Sequence, residues 1–174
     1  MSSQCRTKIT RHIHLVNLEI PDKDFQWTKE NSIEFGQGVA AQEEIDIKLF
    51  LEMHKDWKMH KTGSGLQYYI YERSGEDTTF HPKAGQWAHI EYTVTLLNGD
   101  ECYKTGDDEY EKIKVDNSEI ETGVQEAVKL MIPGDKAKLI IPSHLGHGVA
   151  GDLDKIPPLT TLVMDIHLIG VSER

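Results

Sequence analysis

The sequence predicts an α+β fold: a curved antiparallel β-sheet wrapped around one short helix, with an N-terminal extension that carries an amphipathic helix. Three observations predict it. After residue 65 the 174-residue chain is dominated by alternating or β-branched runs such as "LQYYIYE", "GQWAHIEYTVTLL" and "KLIIP". One short stretch among them, "SEIETGVQEAVKLM", has helical spacing instead, and a lone helix amid antiparallel strands is α+β. Ahead of the strands, Ile45, Leu49, Met53 and Trp57 recur every fourth residue, and Ile47, Phe50 and Leu51 broaden the stripe.

The elements follow in order. Val16, Leu18 and Ile20 alternate with polar neighbours, which predicts a short strand over 14–20, ended by Pro21, Asp22 and Asp24. "KENSIEFGQG" (29–38) reads as loop. The helix is expected from Val39 to about Trp57, with Gln42, Glu43 and Glu44 early and Lys55 and Lys58 late, as the helix dipole prefers. Its apolar stripe needs a partner, either the β domain or a second copy. "KTGSGLQ" (61–67) is a Gly/Ser break and marks the boundary between an extension, 1–62, and a β-rich domain, 63–174.

Strands are expected over 66–72 and 85–97. "NG" at 98–99 is the strongest short hairpin signal, and "ECYK" (101–104) is its return strand. "EKIKV" (111–115) is a further strand. The short helix spans 118–131, with Ser118 and Glu121 as a capping box and Ile120, Val124, Val128 and Met131 as its apolar face. A turn and strand (133–142), a Gly- and His-rich loop (143–155) and a final strand (159–170) complete the chain.

Composition narrows the function. The formal charge is −10, from 29 acids against 19 bases, which repels phosphate backbones and anionic membrane surfaces and argues against nucleic acid as a partner. No apolar run reaches transmembrane length. The two cysteines, Cys5 and Cys102, lack zinc or disulfide-framework spacing. The start has no apolar signal region, so the expected compartment is the cytoplasm as the sequence stands, or the cell envelope if a leader before Cys5 is missing.

The chemical motifs are weak. "GHGVAG" (146–151) fits G-x-G-x-x-G, but "DLDKIPP" after it cannot continue as a helix. Nine histidines include His12/His14 and His144/His147, the latter near Asp152 and Asp154, without the three or four convergent ligands a metal needs. Ser143–His144 lacks a nucleophile elbow, and "DDEYE" (107–111) reads as a solvated loop. No acid–base, covalent or metal chemistry emerges.

From about Gly65 to Val171 the chain resembles the FKBP family of peptidyl-prolyl isomerases, and bacterial members most. The pieces that carry the resemblance are "IEYTVTLLNGD", "ETGVQEAVKLMIPGDKAKLIIP", "LGHGVAG" and "KIPPLTTLVMDIHLIGV". The resemblance implies isomerisation of X–Pro bonds in unfolded or extended peptides, with no cofactor and no metal. That barrier, about 20 kcal/mol, is a loss of amide resonance, so an apolar pocket that favours the twisted amide suffices without a proton-transfer dyad. It also implies that the loop before the last strand is a flap over a shallow pocket, with Pro157 and Pro158 directing the chain out of it.

The family's pocket carries over residue by residue. Tyr92 stands at the wall tyrosine, Ile120 at an aliphatic wall position, and Ile156 at the rim. Glu121 stands where a backbone N–H binds the substrate carbonyl. Val124 replaces a floor tryptophan common in the family, Cys102 and Met164 replace phenylalanines, and Tyr103 replaces an aspartate. Tyr110 is one residue away from an expected aromatic, and His147 replaces the flap tyrosine that hydrogen-bonds substrate. The resemblance therefore implies a catalytic set of Tyr92, His147, Ile156 and Met164 and a substrate-binding set of Cys102, Tyr103, Ile120, Glu121 and Val124. The lost aromatic surface implies weak activity, and a non-catalytic chaperone or peptide-binding module is the alternative. A homodimer through the 39–57 helix is a further expectation.

Overall fold

The computed structural model describes residues 28–75, 80–117 and 120–173. The expected strand at 14–20, Cys5, and Ser118 of the expected capping box lie outside them. The chain divides into two compact units, Met1–Gln42 and Glu43–Arg174.

In the first unit the described residues are helical, not loop. Helix α1 runs Lys29–Met53, ten residues ahead of the expected start at Val39. The cause is a cap that the apolar pattern does not reveal. The Thr28 N–H donates to Asn31 Oδ1 (2.8 Å) and the Asn31 N–H donates to Thr28 Oγ1 (3.3 Å), a reciprocal pair that satisfies helix-end donors. Gly36 and Gly38 are tolerated inside the helix at about 1 kcal/mol each.

The second unit contains the rest of α1 and the sheet. The helix ends at Met53, short of Trp57, because His54 turns its imidazole Nδ1 onto the Phe50 carbonyl (2.9 Å) and stacks on the Phe50 ring (4.2 Å between centroids). Only part of the expected stripe is buried: Ile47 and Phe50, with Leu51 and Trp57 packed beside them. Ile45, Leu49 and Met53 are 50%, 52% and 61% exposed, whereas Glu43, Asp46, Ile47 and Phe50 are buried. Spacings of three, four and seven from Glu43 define that face equally well.

The strands are β1 (His60–Lys61), β2 (Gln67–Glu72), β3 (Trp87–Leu96), β4 (Glu101–Lys104), β5 (Glu111–Lys114), β6 (Lys136–Ile141) and β7 (Leu162–Ser172). They form one sheet in the order β1-β2-β6-β7-β3-β4, with β5 also on β3, and every pairing is antiparallel. β4 takes the Thr93–Thr95 end of β3, and β5 takes the Trp87–Ile90 end. The Gly/Ser break at 61–65 is the turn of the β1–β2 hairpin, closed by Thr62 N–H to Leu66 O (2.8 Å), and so is not a linker.

Strand alternation puts two cores on the two faces. Leu139, Ile141, Leu162, Met164 and Ile166 join the main core, with the second helix, α2 (Thr122–Leu130), in the concavity. Ile140 and Val163, register partners, point the other way and meet Ile47, Phe50, Trp57 and Met59. The α+β expectation holds, with the end of α1 on the far face as part of the unit. Phe50→Ala should therefore cost about 3 kcal/mol of unfolding free energy in a urea titration, the usual range for truncating a buried aromatic. An unchanged midpoint would show that this second core contributes nothing.

Candidate active site

The concave face holds a cavity of about 300 Å³. β3 contributes Ile90, Tyr92 and Val94, three residues on one face by period two. β7 adds Leu162 and Met164, the latter opposite Val94. α2 and the turn before it bring Ile120, Glu121 and Val124. The segment between β6 and β7 arches over as a flap and delivers His147, Asp152 and Ile156.

α2 begins at Thr122 with Glu121 as the N-cap residue, and no side chain caps it. The expected 118–131 helix is thus shorter. As the N-cap residue, Glu121 has an N–H with no acceptor within the helix. α2 reaches close to the flap base because Gly123 has no Cβ; one placed there would lie 2.7 Å from Ile141 Cγ2 and 3.2 Å from the Leu145 carbonyl.

The structure brings together Tyr92, Tyr103, Ile120, Glu121, Val124, His147, Ile156 and Met164, as expected for one pocket. Cys102 is the exception. β4 bulges between its pairings with Val94 and Thr95, and Cys102 is the residue passed over in the register. It is buried in the core behind the wall, with Sγ 3.9 Å from the Asp100 carbonyl and 3.8 Å from that of Lys155. Burial, then the nearby Asp152 charge, pushes its thiol pKa up.

Seven lining residues were outside the expected set, the apolar Ile90, Val94, Ile113, Ile141 and Leu162 and the two acids Glu111 and Asp152. On β5 the residues facing the concavity are Glu111 and Ile113, so alternation sends Tyr110 outward, where it stacks on His89 (5.1 Å). The strand period with Ile113 as the buried residue is the signal that could have found Glu111. Asp152 stood out in the sequence only as a loop neighbour of His144 and His147.

These acids organise the hydroxyls and the imidazole of the mouth. The Tyr92 hydroxyl donates to Glu111 Oε2 (2.7 Å). Burial, then that bond and the Glu111 charge, raises the Tyr92 pKa well above the ordinary tyrosine value, so the phenol stays a neutral donor. His147 Nε2 lies 2.8 Å from Glu121 Oε1, so one ring nitrogen is engaged across the mouth. The Tyr103 hydroxyl donates to Asp152 Oδ2, and this bond raises the phenol to about 12. His144, by contrast, faces Ser64, with Nε2 2.9 Å from its carbonyl, and is not in the pocket.

Asp152 also fixes the flap's shape. Its Oδ1 accepts from the N–H groups of Asp154 (2.9 Å) and Ile156 (2.7 Å), and its own N–H donates to the Ile156 carbonyl (3.1 Å). Gly151 permits this turn, with φ +66° and a hypothetical Cβ only 2.2 Å from the Ile156 carbonyl. Lys155 closes it onto β4, with Nζ 2.8 Å from the Cys102 carbonyl and 4.8 Å from the centre of the Tyr103 ring.

Partial desolvation pushes the Asp152 carboxyl up, but the Tyr103 hydroxyl and the two N–H donors outweigh it and hold it at about 2. Its folded value lies below the ordinary 3.8, so its contribution is complete above that pH and is lost as the pH falls through about 2. Tyr103→Phe should move the Asp152 titration, followed by carboxyl NMR, up from about 2 toward 3.8. An unmoved midpoint would show that the hydroxyl does not hold the flap.

Residues 78–169 match the family model for the FKBP-type peptidyl-prolyl cis-trans isomerase. FK506-binding protein 2 of Dictyostelium discoideum is 38% identical over 98 residues, covering 56% of this chain and 74% of that protein. The isomerase FkpA of Escherichia coli K12 is 33% identical over 137 residues, covering 76% of this chain and 48% of that protein. FkpA of Buchnera aphidicola from Schizaphis graminum is 33% identical over 132 residues, 74% of this chain and 50% of that protein. The chain thus spans about half the length of its FkpA relatives. The crystal structure of Escherichia coli FkpA superposes with a TM-score of 0.65 at 27% identity, covering 81% of this chain and 64% of that one. A family match over more than half the sequence and the shared fold lead to one conclusion: this chain belongs to the FKBP-type peptidyl-prolyl cis-trans isomerases.

Proposed function

We propose that the chain isomerises X–Pro bonds in unfolded or extended polypeptides, weakly and without a cofactor, and so assists folding. The observation that carries this reading is the apolar cavity floored by Val124 and walled by Tyr92, Ile120, Ile156 and Met164. A proline ring fits such a space. The twisted amide is less polar than the planar one, so an apolar wall favours it. The N–H of Glu121, which has no acceptor within α2, is suited to hold the carbonyl of the flanking peptide. His147 acts at the rim through the ring nitrogen that Glu121 does not engage.

A protease-coupled assay with a cis-proline tetrapeptide tests this, and an interconversion rate above the uncatalysed one is expected. Peptide binding without acceleration would favour the second reading, a chaperone or peptide-binding module on the same fold. Val124 supports that alternative, because a small floor provides little contact to the ring.

The exposed row of Ile45, Leu49 and Met53 supports a homodimer through α1, since three large apolar residues on one helix face form a patch that association would cover. Light scattering that returns a monomer at all concentrations would contradict it.

A further inference from the structure

Glu43 is a buried carboxylate, 8% exposed, on α1. Its hydrogen-bond partners lie outside α1. Oε1 accepts from the Ser143 N–H (2.8 Å) and the Thr161 hydroxyl (2.8 Å), and Oε2 accepts from the Ser143 hydroxyl (3.0 Å). Ser143 and Thr161 are themselves buried. They are also the two feet of the flap: Ser143 follows the end of β6, and Thr161 precedes the first residue of β7. One side chain thus holds both ends of the loop that delivers His147, Asp152 and Ile156 to the pocket.

The hold continues into the flap through the backbone. The Ser143 carbonyl accepts from the Gly148 N–H (2.9 Å), and the Gly148 carbonyl accepts from the Leu159 N–H (2.8 Å). His147 is the neighbour of Gly148, so the chain of bonds runs from Glu43 through Ser143 to the residue beside the rim imidazole. Charge-assisted bonds to buried amides and hydroxyls are the strong kind, and losing the acceptor would leave three buried donors unsatisfied.

We propose that Glu43 is a positioning residue for the isomerase site: it sets the flap from the opposite side of the sheet and makes the end of α1 part of the pocket's machinery. The inference rests on the isomerase reading for its kinetic consequence, but its structural consequence stands apart from activity. Gln in place of Glu43 retains an oxygen for the Ser143 N–H and the Thr161 hydroxyl, and its amide can donate to the Ser143 hydroxyl. Ala retains nothing.

The experiment uses the full chain with Glu43→Ala, Glu43→Gln and Thr161→Val, the last keeping side-chain volume while deleting one bond. Amide hydrogen exchange over residues 146–159 is compared with exchange in β2 and β6, alongside KM and kcat on a cis-proline peptide. Glu43→Ala should speed flap exchange and raise KM by about tenfold each, with kcat changed far less and the strands unchanged. Thr161→Val should do the same to a smaller degree, and Glu43→Gln should restore values to within about twofold of the parent.

Acceleration of flap and strands alike, with no rescue by Gln, would mean that Glu43 only stabilises the fold and would overturn the proposal. Unchanged flap exchange in Glu43→Ala would overturn it as well. If Glu43→Ala does not fold, Thr161→Val decides by the same criteria. Should the parent lack isomerase activity, the exchange comparison still decides the positioning role, so the two failures remain distinct.

Discussion

Tyr92→Ala should lower kcat/KM on a prolyl peptide by about 100-fold, whereas Tyr92→Phe should lose only about fivefold. The ring is the wall contributed by the longest run of β3 in the cavity, and truncating it removes the apolar surface on which a twisted amide would rest. Loss of that surface corresponds to about 2–3 kcal/mol, which is the 100-fold expected. The hydroxyl has a lesser part. It donates to Glu111, and its raised pKa keeps it neutral throughout the usable pH range. Phe keeps the wall and gives up one bond near solvent. Equal losses in the two variants would move the role from the ring to the hydroxyl. Full activity in Tyr92→Ala, with circular dichroism unchanged, would sink the catalytic reading of this pocket.

Val124→Trp should raise kcat/KM by about tenfold. Val124 sits in the first turn of α2 and forms the cavity's floor. An indole there would offer a bound proline about 50 Å² more apolar contact, worth about 1.3 kcal/mol, or close to tenfold if expressed in the transition state. The cavity of about 300 Å³ gives the larger side chain space on its open side. Stability should change little, and thermal unfolding checks that the new ring has entered the cavity without straining the core. A lower rate in a protein of unchanged stability would show that proline does not lie on this floor.

Much of this architecture is local and therefore readable from residue order. Period-two alternation identified β3, and apolar β-branched runs identified β6 and β7, because a strand's side chains follow its local pattern whatever it pairs with. The single stretch of helical spacing placed Ile120, Val124, Val128 and Met131 on one face for the same reason. Family likeness then marked Tyr92, Glu121, Val124 and Met164 as pocket residues and added the flap residues His147 and Ile156. The helix boundaries were less legible. Thr28 and Asn31 cap α1 with short polar side chains in a stretch rich in glycine, where composition speaks for loop.

Other features depend on partners distant in sequence, and only the tertiary structure decided them. A helical pattern allows more than one buried face, and the spacing of Ile45, Leu49 and Met53 was as regular as that of Glu43, Ile47 and Phe50. The choice fell to Ile140 and Val163 on the outer face of the sheet, and to two donors at the feet of the flap about 100 residues away. The bulge in β4 removed Cys102 from the cavity, since one extra residue re-aims a side chain without any mark in the local pattern. Asp152 became the flap's organiser because Tyr103 and two backbone N–H groups converge on it. The residues by themselves determined an α+β domain, and the family likeness alone marked an apolar pocket suited to proline within it. Which helix face is buried, which acids line the mouth and what holds the flap were settled by long-range hydrogen bonds and packing, whose partners no sequence window contains.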